Sequence, residues 1–142
     1  IDKFMGDAVM GFWFVDGVDK HAVSQGVKCA SHVIKSFNES VIGTDRSELS
    51  LRIGLHCGKV CFGDFGTQDR IAVTFIGEAV NLAARFEQLR ASDKNPNLGP
   101  VRVSQDLFER IAAVEPELAQ SFRGPRQEQV KKDQFSVYWL EI

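Results

Sequence analysis

The chain has 142 residues, 44% of them hydrophobic and 25% charged, and carries a formal net charge of −2. That is enough for one domain with a buried core, and the balance gives no broad positive field for nucleic acid or an anionic membrane surface. No run is long and apolar enough to span a bilayer, so a phosphate-bearing ligand would have to be held by local placement of charge.

No signal-peptide pattern opens the chain, and Ile1 already stands inside a strand-like pattern, so the chain is expected to be part of a longer protein. Residues 1–6 and 8–15 read as the two strands of a hairpin. Asp7 sits at or near the corner, and Asp16-Gly17 closes the second strand. Alternation along the first strand puts Lys3 and Asp7 on one face and turns Asp2 to the other. A helix follows over residues 19–41, with Val23, Val27, Ala30, Ile34 and Phe37 recurring at three and four. Gly43-Thr44-Asp45 ends it. Residues 51–55 alternate, and Gly54, Gly58, Gly63 and Gly66 then recur, a spacing suited to a kinked ribbon approached by a ligand or another backbone.

Residues 71–90 organise the rest. Ile71, Val73 and Phe75 alternate with Ala72, Thr74 and Ile76 as a strand, and Gly77 breaks it where the chain must turn sharply and admit close backbone approach. From Glu78 the period becomes helical. Ala79, Leu82, Phe86 and Leu89 fall on one side, and Glu78, Asn81, Arg85 and Gln88 on another. Asn81 and Arg85 are one turn apart, which aims an amide and a rigid fork of guanidinium donors the same way. By itself such a stripe is an ordinary solvated helix face.

A polar loop, residues 92–100, leads to a short strand at 101–104 and a helix at 105–113 that Ser104 can cap. Residues 122–132 and 135–142 form a last hairpin turning around Asp133. The order predicts an α+β fold, with helices on one face of a mixed, mostly antiparallel sheet. Three cysteines, Cys29, Cys57 and Cys61, do not make a disulfide framework and point to a reducing compartment, the cytoplasm or the cytoplasmic side of a membrane. His56, Cys57 and Cys61 lack a second ligand pair at zinc spacing, so the two neighbouring cysteines read as half-buried strand residues.

KFMGD, the ribbon LRIGLHCGKVCFGDFG and TFIGEAVNLAAR resemble three consecutive blocks of the class III nucleotidyl cyclase catalytic domain. VRVSQDLFERI and VKKDQFSVYWL extend the likeness over essentially the whole chain, as one domain of ferredoxin-like fold spanning residues 1–142. The resemblance is to bacterial-type adenylate cyclases. It implies attack of the ATP 3′-hydroxyl on its own α-phosphorus, giving cyclic AMP and pyrophosphate, with two Mg²⁺ or Mn²⁺ ions. By that likeness Asp7 is one of two metal-bridging aspartates, Asn81 orients the ribose, and Arg85 neutralises phosphate in the transition state. Lys131 contacts the terminal phosphates and Arg70 lies near a phosphate-touching position. Lys3 and Thr74 read the purine. Lysine can donate to adenine N1, and a threonine hydroxyl can accept from the exocyclic amine or donate.

Guanylate cyclases carry an acidic residue at the position of Lys3, so the likeness favours ATP. It also implies a head-to-tail homodimer with active sites shared between chains, and a regulatory region on the N-terminal side. Two departures stand out. The strand with the family's other metal aspartate, its helices and a phosphate-cradling loop would precede Ile1. The family commonly has glycine after Lys131, where this chain has Lys132, which makes Lys132 a second candidate for phosphate. The alternatives are a guanylate cyclase, a degenerate cyclase-like domain that only dimerises or regulates, and a ferredoxin-like nucleic-acid binder. Lys3 opposes the first, retention of Asp7, Asn81 and Arg85 the second, and the acidic balance the third.

Overall fold

The computed structural model describes residues 1–15, 21–68, 73–90, 98–130 and 133–142. The central sheet has four strands in the order β3 (Ile53–Leu55), β6 (Val101–Ser104), β8 (Asp133–Leu140) and β7 (Arg123–Val130). β3 and β6 run parallel, and β6 with β8 and β8 with β7 are antiparallel. Two ribbons stand apart from this sheet: β1 (Lys3–Met5) with β2 (Ala8–Met10), and β4 (Cys61–Asp64) with β5 (Val73–Ile76). The mixed, mostly antiparallel sheet is as the chain order predicts.

The helices lie on both faces of it. α1 (Ala22–Val41) and α3 (Gln105–Val114) pack Val23, Val27, Ala30, Ile34, Leu107 and Ile111 against Val101, Val103 and Leu140. Each of these valine, leucine and isoleucine side chains taken from water is worth about 1.5–3 kcal/mol. α2 (Glu78–Gln88) packs Phe86 against Val137 and Trp139, the alternate residues of β8, on the opposite face. The expectation of helices on one face is therefore corrected. β8 is apolar on both sides, as a strand covered twice must be.

Local rules account for several boundaries. The Ser104 hydroxyl accepts from the Leu107 amide and caps α3. The first hairpin is shorter than expected because Gly6, at φ +63°, and Asp7 make its turn and pairing ends at Met10. α1 begins at Ala22; Asp16, Gly17 and Asp19 lie outside the described residues, as do Ile71 and Ala72 of the expected strand and most of the polar loop before Leu98. A short helix, α4 (Pro116–Ala119), follows α3 where no element was expected, with proline at its first turn. Cys57 is half-buried beyond the end of β3 and Cys61 is exposed on β4, which corrects their assignment as a half-buried strand pair.

Gly54 of β3 lies directly under α2. A Cβ there would collide with the Ala83 carbonyl oxygen and the Glu87 amide nitrogen, both of them backbone atoms that cannot rotate away. Gly54→Ala should therefore cost about 1–3 kcal/mol or more by displacing the helix. Urea unfolding checks it, and an unchanged midpoint would contradict the packing of α2 on β3.

Candidate active site

The segment that follows β2 packs on the β4–β5 ribbon through Phe12 and Phe14, which meet Phe75 beside its cross-strand partner Phe62. Phe75 of β5 lies 3.9 Å from Phe12, 5.8 Å from Phe14 and 4.6 Å from Phe62, centroid to centroid. Such ring pairs add about 0.5–1.5 kcal/mol each beyond area burial. The packing brings Lys3 to Thr74, 71 positions away in sequence, and the lysine Nζ donates to the threonine Oγ1. Asp2 completes the contact. Its Oδ2 accepts from Thr74 Oγ1 at 3.0 Å and lies 3.3 Å from Lys3 Nζ, with the aspartate side chain only 6% exposed. Asp2 thus joins Lys3 instead of facing away from it; it precedes the first residue of β1, although its amide still donates to the Met10 carbonyl at 2.8 Å.

β5 leads through Gly77 straight into α2. A Cβ at Gly77 would stand 3.2 Å from the Lys59 carbonyl oxygen, the close backbone approach expected at this corner. Asn81 is exposed on the first turns of α2 and Arg85 follows one turn later, half-buried. Arg85 Nη1 lies 3.2 Å from Asp133 Oδ2, and its guanidinium sits 5.8 Å from the centre of the Phe135 ring. The helix is thereby tied to the start of β8, beside the Val130–Asp133 end of the last hairpin. Lys131 and Lys132, between those two in sequence, lie outside the described residues, and so does Arg70.

The far end of α2 is held by Arg102, a residue that periodicity alone does not single out. It is 3% exposed on β6 and projects to the α2 side. Its Nη1 donates to the carbonyls of Glu87 at 2.9 Å, Phe86 at 3.4 Å and Leu89, and its Nε to Gly99 at 2.9 Å. These carbonyls close a helix C-terminus, where a cation is favoured. Burial pulls its pKa down to about 10, which leaves it charged at neutral pH. In sequence, Val101-Arg102-Val103 reads as an alternating strand with its arginine turned to water, so only the arrival of α2 reveals the burial. His56 is spoken for as well: its Nδ1 lies 2.7 Å from Ser104 Oγ, and burial holds its pKa below the usual histidine value.

Asp7 stands exposed at the tip of the first hairpin, with no partner among the described residues. A free carboxylate is a hard oxygen donor suited to Mg²⁺ or Mn²⁺, and Mg²⁺ is ordinarily held by one or two carboxylates together with substrate phosphates and water. Asp7 fits as one such ligand. Among the described residues no group of three or more His, Cys, Asp or Glu could hold a metal ion unaided, so the remaining ligands would have to come from elsewhere. No helix among the described residues is long and apolar enough to cross a membrane.

The mixed sheet flanked by helices thus carries a lysine–threonine pair on the strand that runs into the helix of Asn81 and Arg85. The chain belongs to the adenylate and guanylate cyclase catalytic domain family, whose model matches residues 3–141. Domains of this family act on nucleotides, use divalent metal ions and commonly dimerise. The terminal-differentiation-specific adenylate cyclase of Dictyostelium discoideum is 38% identical over 90 residues, 63% of this chain and 4% of that protein. A cytidylate cyclase of Escherichia coli is 32% identical over 105 residues, 66% of this chain and 22% of that protein. The chain thus spans only a small part of these relatives. The crystal structure of the adenylyl cyclase CyaB from P. aeruginosa superposes with a TM-score of 0.65 at 27% identity, covering 96% of this chain and 68% of that one.

Proposed function

We propose that this chain forms part of one catalytic domain of an adenylate cyclase, lacking that domain's N-terminal strand, and acts as a homodimer with sites shared between the two copies. The observation that carries this is the meeting of Lys3 with Thr74, on the strand that runs directly into the helix bearing Asn81 and Arg85. In the reaction the 3′-oxygen of ATP forms a bond to the α-phosphorus as its proton passes to solvent. The α-phosphorus–oxygen bond to the β-phosphate breaks with its electron pair, and pyrophosphate leaves. Such chemistry is governed by positioning and charge neutralisation. A divalent ion, held in part by Asp7, would supply neutralisation of the phosphate oxygens and lower the pKa of the attacking hydroxyl.

This chain's residues then divide the remaining work. Lys3 and Thr74 select the base, Asn81 orients the ribose, and Arg85 leaves Asp133 to meet charge developing on phosphate. Lys131 or Lys132, with Arg70, binds the phosphate groups. Apolar residues exposed on the two ribbons, Phe4, Val9, Phe62, Val73 and Ile76 among them, support a second copy covering that side. The free thiols of Cys29, Cys57 and Cys61 support a cytoplasmic domain, or one on a membrane's cytoplasmic side, and regulation would enter from the N-terminal side.

The test is exchange of the base readers. Lys3→Glu with Thr74→Cys reverses the hydrogen-bonding edge, and Asp2→Asn is added so that two carboxylates are not left in contact. kcat/KM should fall for ATP and rise for GTP, moving their ratio about 10–100-fold, the worth of a matched against an unmatched buried hydrogen bond. An unmoved ratio in a folded, active variant would take Lys3 and Thr74 out of the base pocket.

A further inference from the structure

The donors and acceptors around Thr74 can be counted. An ammonium has three N–H donors, and a hydroxyl has one donor and two lone pairs. Lys3 gives one N–H to Thr74 Oγ1 and faces Asp2 Oδ2 with another. Thr74 gives its only proton to Asp2 and takes the lysine bond on one lone pair. Among the described residues this leaves one donor on Lys3 and one lone pair on Thr74. The hydroxyl that could either accept or donate is thereby reduced to an acceptor.

We propose that Asp2 is a specificity-determining positioning residue that polarises the Thr74 hydroxyl, so that the pair admits only bases carrying an amino group beside an unprotonated ring nitrogen. This deepens the adenylate cyclase proposal and rests on its assignment of Lys3 and Thr74 to the base. With Lys3 on the ring nitrogen and Thr74 on the exocyclic group, adenine offers N1 and its 6-amine, both matched. Cytosine offers N3 and its 4-amine in the same order. Guanine offers N1–H to the lysine donor and O6 to the threonine lone pair, and uracil does the same with N3–H and O4. Both are refused at two points. The near-complete burial of the Asp2 side chain matters here, since a carboxylate in water would hold the threonine proton only loosely.

The experiment compares kcat/KM for ATP, CTP, GTP and UTP in the full-length wild-type protein and in Asp2→Ala, Asp2→Asn and Thr74→Val. In Asp2→Ala the threonine proton is freed to donate to O6 or O4. GTP and UTP should gain about tenfold relative to ATP, one hydrogen bond turned from mismatch to match. CTP, which shares adenine's edge, should not move relative to ATP. Asp2→Asn keeps an acceptor oxygen and should hold the GTP-to-ATP ratio within about threefold of wild type. Adding Asp2→Ala to Thr74→Val should change that ratio no further.

Equal loss for all four nucleotides in Asp2→Ala would make Asp2 merely structural and overturn the proposal. A gain by CTP alongside GTP would mean a loosened pocket and overturn it too. Should Asp2→Ala fail to fold, Thr74→Val decides: its GTP-to-ATP ratio must rise, and an unchanged ratio refutes the polarised hydroxyl. ATP turnover with no ratio moved sinks this inference alone, whereas a wild-type protein that cyclises no nucleotide sinks the adenylate cyclase proposal with it.

Discussion

Asp7→Ala should fold as the parent does and lose cyclic AMP formation by at least about a thousandfold. The two halves of that result have separate causes. Asp7 is exposed in a hairpin turn whose geometry is supplied by Gly6, and it holds no partner among the described residues, so removing its carboxylate should change stability by no more than about 0.5 kcal/mol. Its proposed work is different in kind. Cyclisation of ATP gathers charge on the phosphate oxygens, and a lost metal ligand removes much of what neutralises it. Circular dichroism, thermal unfolding and cyclic AMP formation with Mn²⁺ would be measured side by side. Mn²⁺ retention in the presence of a non-cyclisable ATP analogue gives a readout independent of turnover. A folded variant with near-normal turnover would end the assignment of Asp7 to the metal.

Mixing two inactive proteins should restore activity if the site is shared. Asp7→Ala and Arg85→Ala should each be nearly inactive as homodimers, since each removes one component from both sites. Arg85 stands near β8, tied to Asp133, while Asp7 stands at the tip of a separate ribbon. In a two-fold head-to-tail dimer the helix of one copy meets the ribbon of its mate, so the two residues serve different nucleotides. After random exchange of equal amounts, half of the dimers are heterodimers. Each of these has one site with both lesions and one with neither. Activity should return to roughly a quarter of wild type, an estimate that follows from the dimer's symmetry with independent sites. Were each site contained in one chain, every site in the mixture would still carry a lesion. No recovery despite demonstrated exchange of subunits would rule out the shared site.

Where a residue's partners lie within its own helix or turn, several features are legible in the sequence. Ser104 caps α3 because a hydroxyl three residues before the Leu107 amide can reach it in any helix. Ala79 and Phe86 are buried while Asn81 is exposed because 3.6 residues make a turn whatever surrounds them. The hairpin turn at Gly6-Asp7 and the glycine corner before α2 follow from backbone freedom at Gly6 and Gly77. The motifs KFMGD and TFIGEAVNLAAR carried the family and most of the candidate site in the same local way.

What only the tertiary structure decided are relations between elements. Periodicity says that β8 is apolar but not that α2 covers Val137 and Trp139 while α1 and α3 lie behind Leu140. Arg102 has no meaning until the last carbonyls of α2 arrive above it, because a buried guanidinium is satisfied only by acceptors from another segment. The place of Asp2 is hidden for the same reason. Alternation does not show that the Asp2 carboxylate turns toward a hydroxyl 72 residues away, because that hydroxyl arrives on another ribbon. Whether Thr74 accepts or donates is likewise undetermined by the identity of threonine. It depends on which groups already occupy its proton and lone pairs, and packing of the two ribbons brings those groups into reach.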